Sequence, residues 1–530
     1  MSSNPQIKRV LMSVTDKTGI VDFARALVDE FGVQIISTGG TARTIAQAGV
    51  PVTPIEEVTQ FPEMMDGRVK TLHPKVHGAL LAKRDNPQHM AEAAEHGIEM
   101  IDMVVVNLYA FEKTVASGAD FATCIENIDI GGPSMLRSAA KNFASVTVVT
   151  KPASYDAILA EMRENDGATT YETRRKLALD VFRTTNAYDG AIAAWMESTL
   201  AADGVETDAA DEVVVAVRKQ QDLRYGENPH QTAAFYRFAD ASPHSLANAE
   251  QFNGKPLSYN NLLDTDACWA LVREFDDPAV IILKHQNPCG SATAENVVEA
   301  YDRAYACDPK SAYGGIIAAN REIPASFVDH INENKQFVEV IIAPGFTDEA
   351  LELLRKKKNL RVLRTGGADS PTGKEYRSID GGLLIQDVDR ADEDPAEFTV
   401  PTKRKPTPKE MDDLLFAWKV VKGVKSNAIL VAKDRAGIGM GPGQPNRVDS
   451  AVLACDRAHE VCDRLGIAPT ELVAASDAFL PFRDNIDMMH ERGIVAVIQP
   501  GGSIRDQDCI DACDELGMAM VFTGHRHFRH

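Results

Sequence analysis

The chain has 530 residues, a formal net charge of -21 at pH 7 and a sequence pI of about 5.1. A length prior of roughly 150 residues per domain predicts three or four domains, each with enough apolar residues for its own core. The acidic balance excludes general binding to nucleic acids and anionic membranes, which needs broad positive surface, and no apolar run approaches the roughly 18 residues of a membrane helix.

The cysteines and the first residues predict a cytoplasmic protein. Eight cysteines are scattered without a C-x-x-C pair, and the opening residues M-S-S-N-P-Q-I-K-R-V lack the apolar segment of a secretory signal. We therefore expect reduced thiols and a cytoplasmic location.

Strand-like runs alternate with helical stretches through residue 150, as in K-R-V-L-M-S-V, V-Q-I-I-S-T, M-V-V-V-N-L-Y and S-V-T-V-V-T. This alternation predicts a parallel sheet with helices on its faces. A long helix is predicted from Tyr171 to Leu200, and the acidic, small-residue segment that follows is predicted as a linker.

The pattern then starts again with V-V-V-A-V and continues through V-I-I-L, G-I-I-A-A, V-I-I-A-P-G, I-L-V-A, L-V-A-A-S, I-V-A-V-I-Q-P and M-A-M-V-F-T. These runs predict two further α/β lobes, joined near the proline- and charge-rich stretch at 390–410. We therefore divide the chain into a domain 1–200, a linker 201–211, a lobe 212–400 and a lobe 401–530. Similar segments around 281–290 and 424–433 hint at an internal duplication.

The turn S-T-G-G-T at 37–41 follows a strand and opens a helical stretch. Its glycines let the backbone approach a ligand, and the helix N-terminus directs amides at a negative group, although such turns are often only helix caps. The segment D-I-G-G-P-S-M-L-R-S-A-A-K-N at 129–142 favours the anion site, because it predicts a second helix start with Pro133 as the first helical residue.

Residues 279–290 read A-V-I-I-L-K-H-Q-N-P-C-G, an apolar strand that delivers Lys284 and His285 together before a predicted Pro-Cys-Gly turn. Open α/β sheets bind ligands beyond the carboxyl ends of their strands. Histidine titrates near pH ~6.5, and a neighbouring ammonium favours its neutral form. The pair is therefore a candidate for proton-transfer chemistry.

A zinc deaminase is the nearest alternative for this segment, since its loop carries H-x-E and then P-C-x-x-C. Here Gln286 and Asn287 stand where the Glu is needed, and Ala292 stands where the second Cys is needed. A catalytic zinc needs three protein ligands, so we expect no catalytic metal.

Eight motifs in order resemble the family of bifunctional aminoimidazole carboxamide ribonucleotide (AICAR) transformylases and inosine monophosphate (IMP) cyclohydrolases. They are S-V-T-D-K-T-G, T-G-G-T, G-R-V-K-T-L-H-P, N-L-Y, D-I-G-G-P-S-M-L-R-S-A-A-K-N, L-R-Y-G-E-N-P-H-Q, L-K-H-Q-N-P-C-G and P-F-R-D-N. The resemblance spans nearly the whole chain. It implies an α/β protein with a methylglyoxal-synthase-like parallel-sheet domain followed by two cytidine-deaminase-like lobes without catalytic zinc. It also implies 10-formyltetrahydrofolate as co-substrate, and a homodimer.

The same resemblance implies which residues close the purine ring. The predicted catalytic residues are Lys70, which would hold the phosphate end of the substrate, and Tyr109, Asp129 and Lys141, which would surround the reacting atoms. The predicted nucleotide-binding residues are Ser13, Thr15, Lys17, Thr38, Gly39, Gly40, Thr41, Arg68, Thr71, Asn107 and Gly131.

For formyl transfer, the resemblance implies His285 as proton acceptor, directly or through the neighbouring carboxamide. It implies Lys284 either as the cation that stabilises the anionic intermediate or as the proton donor to the leaving folate nitrogen, and Asn427 as donor to the tetrahedral oxygen. It implies that Arg224, Tyr225 and Arg526 bind the nucleotide and that Phe479 and Asp484 bind the folate pterin. The family motif G-I-G-x-G-Q-x-x-R corresponds to G-I-G-M-G-P-G-Q-P-N-R at 437–447, which reads as two residues longer.

Two other functional classes compete with this interpretation. One is a regulatory phosphate-binding module joined to an inactive deaminase-like scaffold, which would bind nucleotides without turnover. The other is a zinc-dependent deaminase, which stoichiometric zinc in the purified protein would indicate. An absorbance assay with AICAR and 10-formyltetrahydrofolate discriminates among them.

Overall fold

The structure is a computed structural model that describes residues 4–205, 213–238, 241–371, 373–390 and 393–530, without the side chains of Asp66 and Ala201. The chain divides between Val217 and Arg218 into two compact units. The predicted linker 201–211 lies largely outside the described residues, and the domain limits at 200, 211 and 400 stay predictions.

The first unit contains the predicted parallel sheet, with five strands in the order β3-β2-β1-β4-β5. Its strands are β1 (Arg9–Val14), β2 (Gln34–Ser37), β3 (Thr53–Pro54), β4 (Met103–Asn107) and β5 (Thr147–Val149). Its helices are α1 (Ile20–Phe31), α2 (Gly39–Gln47), α3 (Ile55–Thr59), α4 (Pro74–Leu81), α5 (Pro87–Glu95), α6 (Phe111–Ala116), α7 (Phe121–Glu126), α8 (Gly131–Lys141), α9 (Tyr155–Glu164) and α10 (Tyr171–Ala202).

Both faces of this sheet are buried, which explains why its strands read as continuous apolar runs. Val10 and Met12 of β1 pack into one core, and Leu11, which points to the opposite face, packs into the other. The carboxyl ends of β1, β2 and β4 therefore lie at one edge of a rigid sheet.

The second unit is built around a mixed sheet of eleven strands in the order β20-β19-β18-β16-β17-β10-β9-β11-β12-β13-β8. Its strands are β6 (Val217–Leu223), β7 (Ala233–Phe238), β8 (Glu250–Asn253), β9 (Ala279–Lys284), β10 (Asn287–Thr293), β11 (Gly315–Ala319), β12 (Val338–Ala343), β13 (Arg361–Arg364), β14 (Lys374–Ile379), β15 (Gly382–Asp387), β16 (Ile429–Lys433), β17 (Ala436–Gly441), β18 (Leu472–Ser476), β19 (Ile494–Gln499) and β20 (Ala519–Phe522). Its helices are α11 (Tyr259–Val272), α12 (Val297–Cys307), α13 (Ala325–Glu333), α14 (Asp348–Arg355), α15 (Pro408–Val421), α16 (Arg447–Leu465), α17 (Arg483–Glu491) and α18 (Asp506–Leu516).

The predicted α/β fold class is confirmed, and the apolar runs from V-I-I-L to M-A-M-V-F-T form β9, β11, β12, β16, β18, β19 and β20. The run V-V-V-A-V was a wrong strand prediction, because only its last residue, Val217, begins a strand, β6. Strands β6 and β7 form a separate two-stranded sheet, and Val213 and Val214 are more than half exposed. An apolar run becomes a buried strand only where a core covers it, and no core covers these valines.

Among the described residues, no helix is both long and apolar enough to cross a membrane.

Candidate functional site

A cavity of 790 Å³ opens in the first unit at the carboxyl ends of β1, β2 and β4. This edge of a parallel sheet is where ligands bind in open α/β folds. All the residues predicted for ring closure line it except Lys141: Ser13, Thr15, Lys17, Thr38, Gly39, Gly40, Thr41, Arg68, Lys70, Thr71, Asn107, Tyr109, Asp129 and Gly131.

The T-G-G-T turn supplies hydroxyls and helix amides to one end of this cavity. Helix α2 begins at Gly39, so its first free N–H groups face the end of β1. Ser13 Oγ lies 2.8 Å from Thr38 Oγ1, and Thr41 Oγ1 both accepts from the N–H and donates to the carbonyl of Val14, at 3.0 Å each. These contacts fix the hydroxyls beside the start of α2, an arrangement that suits an anion, and phosphate binding here stays a prediction.

Two of the predicted cations of the cavity pair with carboxylates. Lys70 Nζ lies 2.8 Å from Glu63 Oε2, and Arg68 forms an ion pair with Glu126. Glu63 and Glu126 both line the cavity, and the sequence motifs did not single them out. A bound phosphate would therefore compete with these carboxylates for the two cations.

The opposite wall of the cavity carries Asp129 and Tyr109. Asp129 Oδ1 accepts from the N–H of Gly132 at 2.8 Å, and its Oδ2 accepts from the N–H of Tyr109 at 3.3 Å. Burial raises the pKa of Asp129 above 3.8, although both N–H bonds oppose the shift. Burial also raises the pKa of Tyr109, and the charge of Asp129 adds to that effect.

Tyr188 of α10 supports this wall and was missed by sequence reasoning. Its hydroxyl accepts from the N–H of Asp129 at 2.8 Å and donates to the carbonyl of Asn127 at 3.2 Å. The two groups are 59 residues apart in the chain, so no local motif could have linked them.

The start of α8 also differs slightly from its prediction. The helix begins at Gly131, so Pro133 is its third residue and not its first. A side chain at Gly131 would contact Thr71 Oγ1, so the close approach of these two cavity residues requires glycine. Lys141 is exposed at the far end of the same helix, outside the cavity lining, and its part in ring closure stays a prediction.

In the second unit, Lys284 ends β9, and His285 and Gln286 form a two-residue turn to β10. The Pro-Cys-Gly segment was wrongly predicted as the turn, since Pro288–Gly290 lies inside β10. Gly290 belongs there because a side chain would meet the carbonyl of Ala304. Strand β9 is antiparallel to both neighbours, so the rule for parallel strand ends does not apply to it.

Asn427 is half-buried just before β16, in a polar network around the buried Arg447. Its Oδ1 accepts from Arg447 Nη2 at 2.7 Å, and its Nδ2 donates to the carbonyls of Gln444 and Pro445 at 2.9 and 3.2 Å. Arg447 is also ion-paired with the fully buried Asp477. The amide of Asn427 is thereby held in one orientation.

The apparent insertion in the glycine motif disappears when the motif is counted from Gly439. Residues 439–447 read G-M-G-P-G-Q-P-N-R, which fits G-I-G-x-G-Q-x-x-R at the expected length. The structure is consistent with this register, because side chains at Gly439 and Gly441 would each strike a backbone carbonyl of α16. Gln444 and Arg447 both contact Asn427.

The other residues predicted for formyl transfer lie on the surface. Arg224, Arg526, Phe479 and Asp484 are exposed, and Tyr225 is half-buried beneath Arg224, whose guanidinium lies 5.6 Å from its ring centre. None of the cavities of 550, 790 and 380 Å³ found among the described residues is lined by Lys284, His285 or Asn427.

The C-terminal segment that carries Arg526 is anchored by its neighbour His527. The imidazole lies 2.8 Å from Asp389 Oδ2 and 3.2 Å from Glu393 Oε1, and the backbone N–H donates to the carbonyl of Asp477. Burial alone would lower the pKa of His527, but the two carboxylates raise it to about 9. Arg526 is therefore presented from a fixed backbone.

No group of three or more His, Cys, Asp or Glu side chains in the described part of the chain could hold a metal ion.

Comparison with known proteins identifies two family models along the chain. The model described as AICARFT/IMPCHase bienzyme matches residues 139–457, and the model of the MGS-like domain matches residues 19–134. A solved structure described as ForH covers 35% of this chain and 97% of its own, at 35% identity and a TM-score of 0.32.

Three similar proteins are each described as bifunctional purine biosynthesis protein PurH. The protein from Rhodospirillum rubrum is 53% identical over 529 residues, covering 99% of both chains. The protein from Paracoccus denitrificans is 52% identical over 538 residues, covering 100% of both chains. The protein from Bacillus cereus is 51% identical over 525 residues, covering 99% of this chain and 100% of its own.

The matching family model covers more than half of the chain, and these relatives align over its whole length, with an MGS-like parallel-sheet domain first and a mixed α/β region after it. The chain therefore belongs to the AICARFT/IMPCHase bienzyme family and is a bifunctional enzyme of purine biosynthesis, a formyltransferase joined to a cyclohydrolase.

Proposed function

We propose that the 790 Å³ cavity of the first unit closes the purine ring of formyl-AICAR to give IMP. We propose that the Lys284–His285 turn of the second unit transfers the formyl group from 10-formyltetrahydrofolate to AICAR. The ring-closure assignment rests on one observation. The T-G-G-T turn, the cation of Lys70, the phenol of Tyr109 and the carboxylate of Asp129 all line the same cavity. Lys284 and His285 of the turn and the polar network of Asn427 support the assignment of formyl transfer to the second unit.

Ring closure joins the carboxamide nitrogen to the formyl carbon. Water leaves with the formyl oxygen and one hydrogen from each of the two nitrogens. In our proposal Asp129 accepts the carboxamide proton, while the T-G-G-T turn and Lys70 hold the phosphate. Tyr109 lies beside Asp129 and gives its proton to the formyl oxygen. Asp129 passes on the carboxamide proton so that this oxygen leaves as water, and Tyr109 recovers its proton from the formamide nitrogen. Orientation of the two reacting groups supplies much of the acceleration, because it removes most of the entropy barrier.

Formyl transfer forms a bond between the formyl carbon and the 5-amino nitrogen of AICAR, and it breaks the bond to the folate nitrogen. The amine is a weak nucleophile, because its lone pair is delocalised into the ring and the carboxamide. In our proposal His285 accepts the amine proton, and Lys284 protonates the departing folate nitrogen. Asn427 donates to the tetrahedral oxygen, for which one Nδ2 hydrogen leaves its carbonyl partner at Gln444 or Pro445.

We assign nucleotide and folate recognition in the formyl-transfer site to residues at the surface of the second unit. Arg224, Tyr225 and Arg526 would hold the nucleotide, and Phe479 and Asp484 would contact the pterin. Phe479 is 39% exposed, and Asp484 lies at the start of α17 close by in the chain, so an aromatic surface and a carboxylate are available to a flat, amide-bearing ring.

The assay for this proposal supplies the chain with AICAR and 10-formyltetrahydrofolate, and separately with formyl-AICAR, in the presence of a metal chelator. We expect absorbance changes for both reactions. Binding of the nucleotides without turnover would contradict the proposal, and so would turnover that requires stoichiometric zinc.

We also propose that the enzyme is a homodimer whose formyl-transfer sites are completed by the partner. Every residue of the two-stranded sheet β14–β15 is exposed, including Ile379, Leu383, Leu384 and Ile385. An isolated apolar hairpin is marginally stable in water and marks an interaction surface. Sedimentation should give twice the chain mass of 57.7 kDa, and a monomer fully active in formyl transfer would contradict this proposal.

A cytoplasmic location completes the proposal. All eight cysteines are unpaired, which suits a reducing compartment. Fractionation of cells that express the tagged chain would test it.

A further inference from the structure

The second unit contains the same helix–hairpin arrangement twice. Helix α11 packs on β9 of the hairpin β9–β10, and helix α15 packs on both strands of the hairpin β16–β17. Each hairpin has a two-residue turn whose residues both have positive φ: 51° and 60° at His285 and Gln286, and 51° and 55° at Asp434 and Arg435. The two central strands of the repeats, β10 and β17, are adjacent in the sheet.

The lysine before each turn makes the same contact. Lys284 Nζ donates to the carbonyl of Tyr313 at 2.8 Å, and Lys433 Nζ donates to the carbonyl of Thr470 at 2.6 Å. Both acceptors lie two residues before the next strand, β11 or β18. Lys433 is therefore the structural counterpart of Lys284, and Asp434 is the counterpart of His285.

A carboxylate of the packed helix accepts hydrogen bonds from the N–H groups of each turn. Asp264 of α11 accepts from the N–H of His285 at 3.2 Å and from the N–H of Gln286 at 2.9 Å, one bond to each oxygen. Asp413 of α15 makes the equivalent bonds to Asp434 at 3.0 Å and Arg435 at 2.6 Å. Both turns therefore have a helix aspartate that accepts from their two N–H groups, although only one turn carries a lysine–histidine pair.

The carboxylate has a physical reason to be there. Left-handed backbone is unfavourable for residues other than glycine, and each turn has two such residues. Charge-assisted hydrogen bonds to both amides favour this backbone over the alternatives. Without them, the turn would sample other conformations and carry the His285 side chain with it.

We infer that Asp264 is a positioning residue for formyl transfer, because it fixes the backbone from which His285 and Lys284 reach the substrate. The inference rests on the proposed function of His285. It concerns a residue that touches the turn amides and not the reacting atoms, so its removal should affect the rate of the chemical step more than nucleotide binding.

The decisive variant is Asp264→Asn, which leaves one acceptor oxygen for two amides. Misplacement of a catalytic group by about 1 Å costs up to ~10²-fold, so we expect kcat for formyl transfer to fall by about 10- to 100-fold. The KM for AICAR should change by less than about 3-fold. Cyclisation of supplied formyl-AICAR should keep its rate and report that the purified chain is intact.

Asp413→Asn is the matched control, since it removes the same acceptor from the equivalent turn. We expect both variants to lower the melting temperature, Asp413→Asn by at least as much because Asp413 also pairs with Lys409 at 3.6 Å, but only Asp264→Asn to lower formyl transfer. Equal losses of formyl transfer would reduce Asp264 to a purely structural role and overturn the inference. Unchanged kcat in Asp264→Asn would do the same. Asp264→Ser replaces the Asn variant if that protein is insoluble.

His285→Asn separates failure of the inference from failure of the proposed function. If His285→Asn retains formyl transfer, the proposed role of the turn is wrong, and the inference falls with it. If His285→Asn is inactive while Asp264→Asn is fully active, the inference alone is wrong.

Discussion

Replacing His285 by Asn is expected to lower kcat for formyl transfer by about 10²- to 10⁴-fold, the usual contribution of a general base. Asn accepts the left-handed backbone that His285 adopts at φ 51°, so the variant removes the base without straining the turn. Ring closure of supplied formyl-AICAR should proceed at its normal rate. The measurement is a pair of absorbance assays on one protein preparation.

Gln286→Ala is the control for this variant. Gln286 occupies the same turn with φ 60° and gives its N–H to the same carboxylate, but its side chain has no assigned role. We expect Gln286→Ala to retain most of its formyl transfer. Equal loss of both reactions in a folded His285→Asn protein would show that the two activities are not divided between the units as proposed.

The sequence predicted those elements of the fold whose physics is local. Strands buried on both faces, such as β1 and β9, appear as apolar runs, and the long helix α10 was predicted from its start to within two residues of its end. The ribbon β6–β7 was missed, because neither strand has a continuous buried face and their pairing rests on backbone hydrogen bonds that any sequence can make.

The candidate site likewise contains residues that belong to local motifs and residues that depend on distant contacts. The residues that line the first cavity could be named in advance from the family resemblance, because the motifs that carry it are contiguous stretches of sequence. Glu63, which neutralises Lys70, and Tyr188, which holds the loop of Asp129, could not be named. Their relevance arises only when segments distant in the chain meet in space.

The position of the turn that carries His285 was predicted wrongly for a different reason. The Pro-Cys-Gly letters indicate a turn by propensity, yet the turn lies three residues earlier at His285 and Gln286. Hydrogen bonds from the N–H groups of His285 and Gln286 to the Asp264 carboxylate stabilise positive φ at residues that rarely adopt it. The tertiary contact with Asp264 therefore determined the position of the turn, and the turn propensity of Pro-Cys-Gly did not.

Replacing Asp129 by Asn is expected to lower kcat for cyclisation by about 10²- to 10⁴-fold, because the proposed base is lost. Asn keeps an oxygen that can accept from the N–H of Gly132, so the start of α8 should survive. Formyl transfer in the same protein should be unchanged. Asp120→Asn is the matched control, since Asp120 caps α7 through Thr123 at 2.7 Å and lies outside the cavity lining.

The pH dependence of the unmodified enzyme provides an independent test of the same carboxylate. Burial raises the pKa of Asp129 above 3.8, so cyclisation should decline on acidification before an ordinary, solvated aspartate would be protonated. The sign for stability is opposite: a carboxyl that holds its proton more tightly in the folded state favours folding as the pH falls through that raised pKa. Titration of this group therefore lowers activity without promoting unfolding, and thermal melting at each pH separates the two. An acid limb that coincides with loss of the folded state, or full cyclisation by Asp129→Asn, would remove Asp129 as the base.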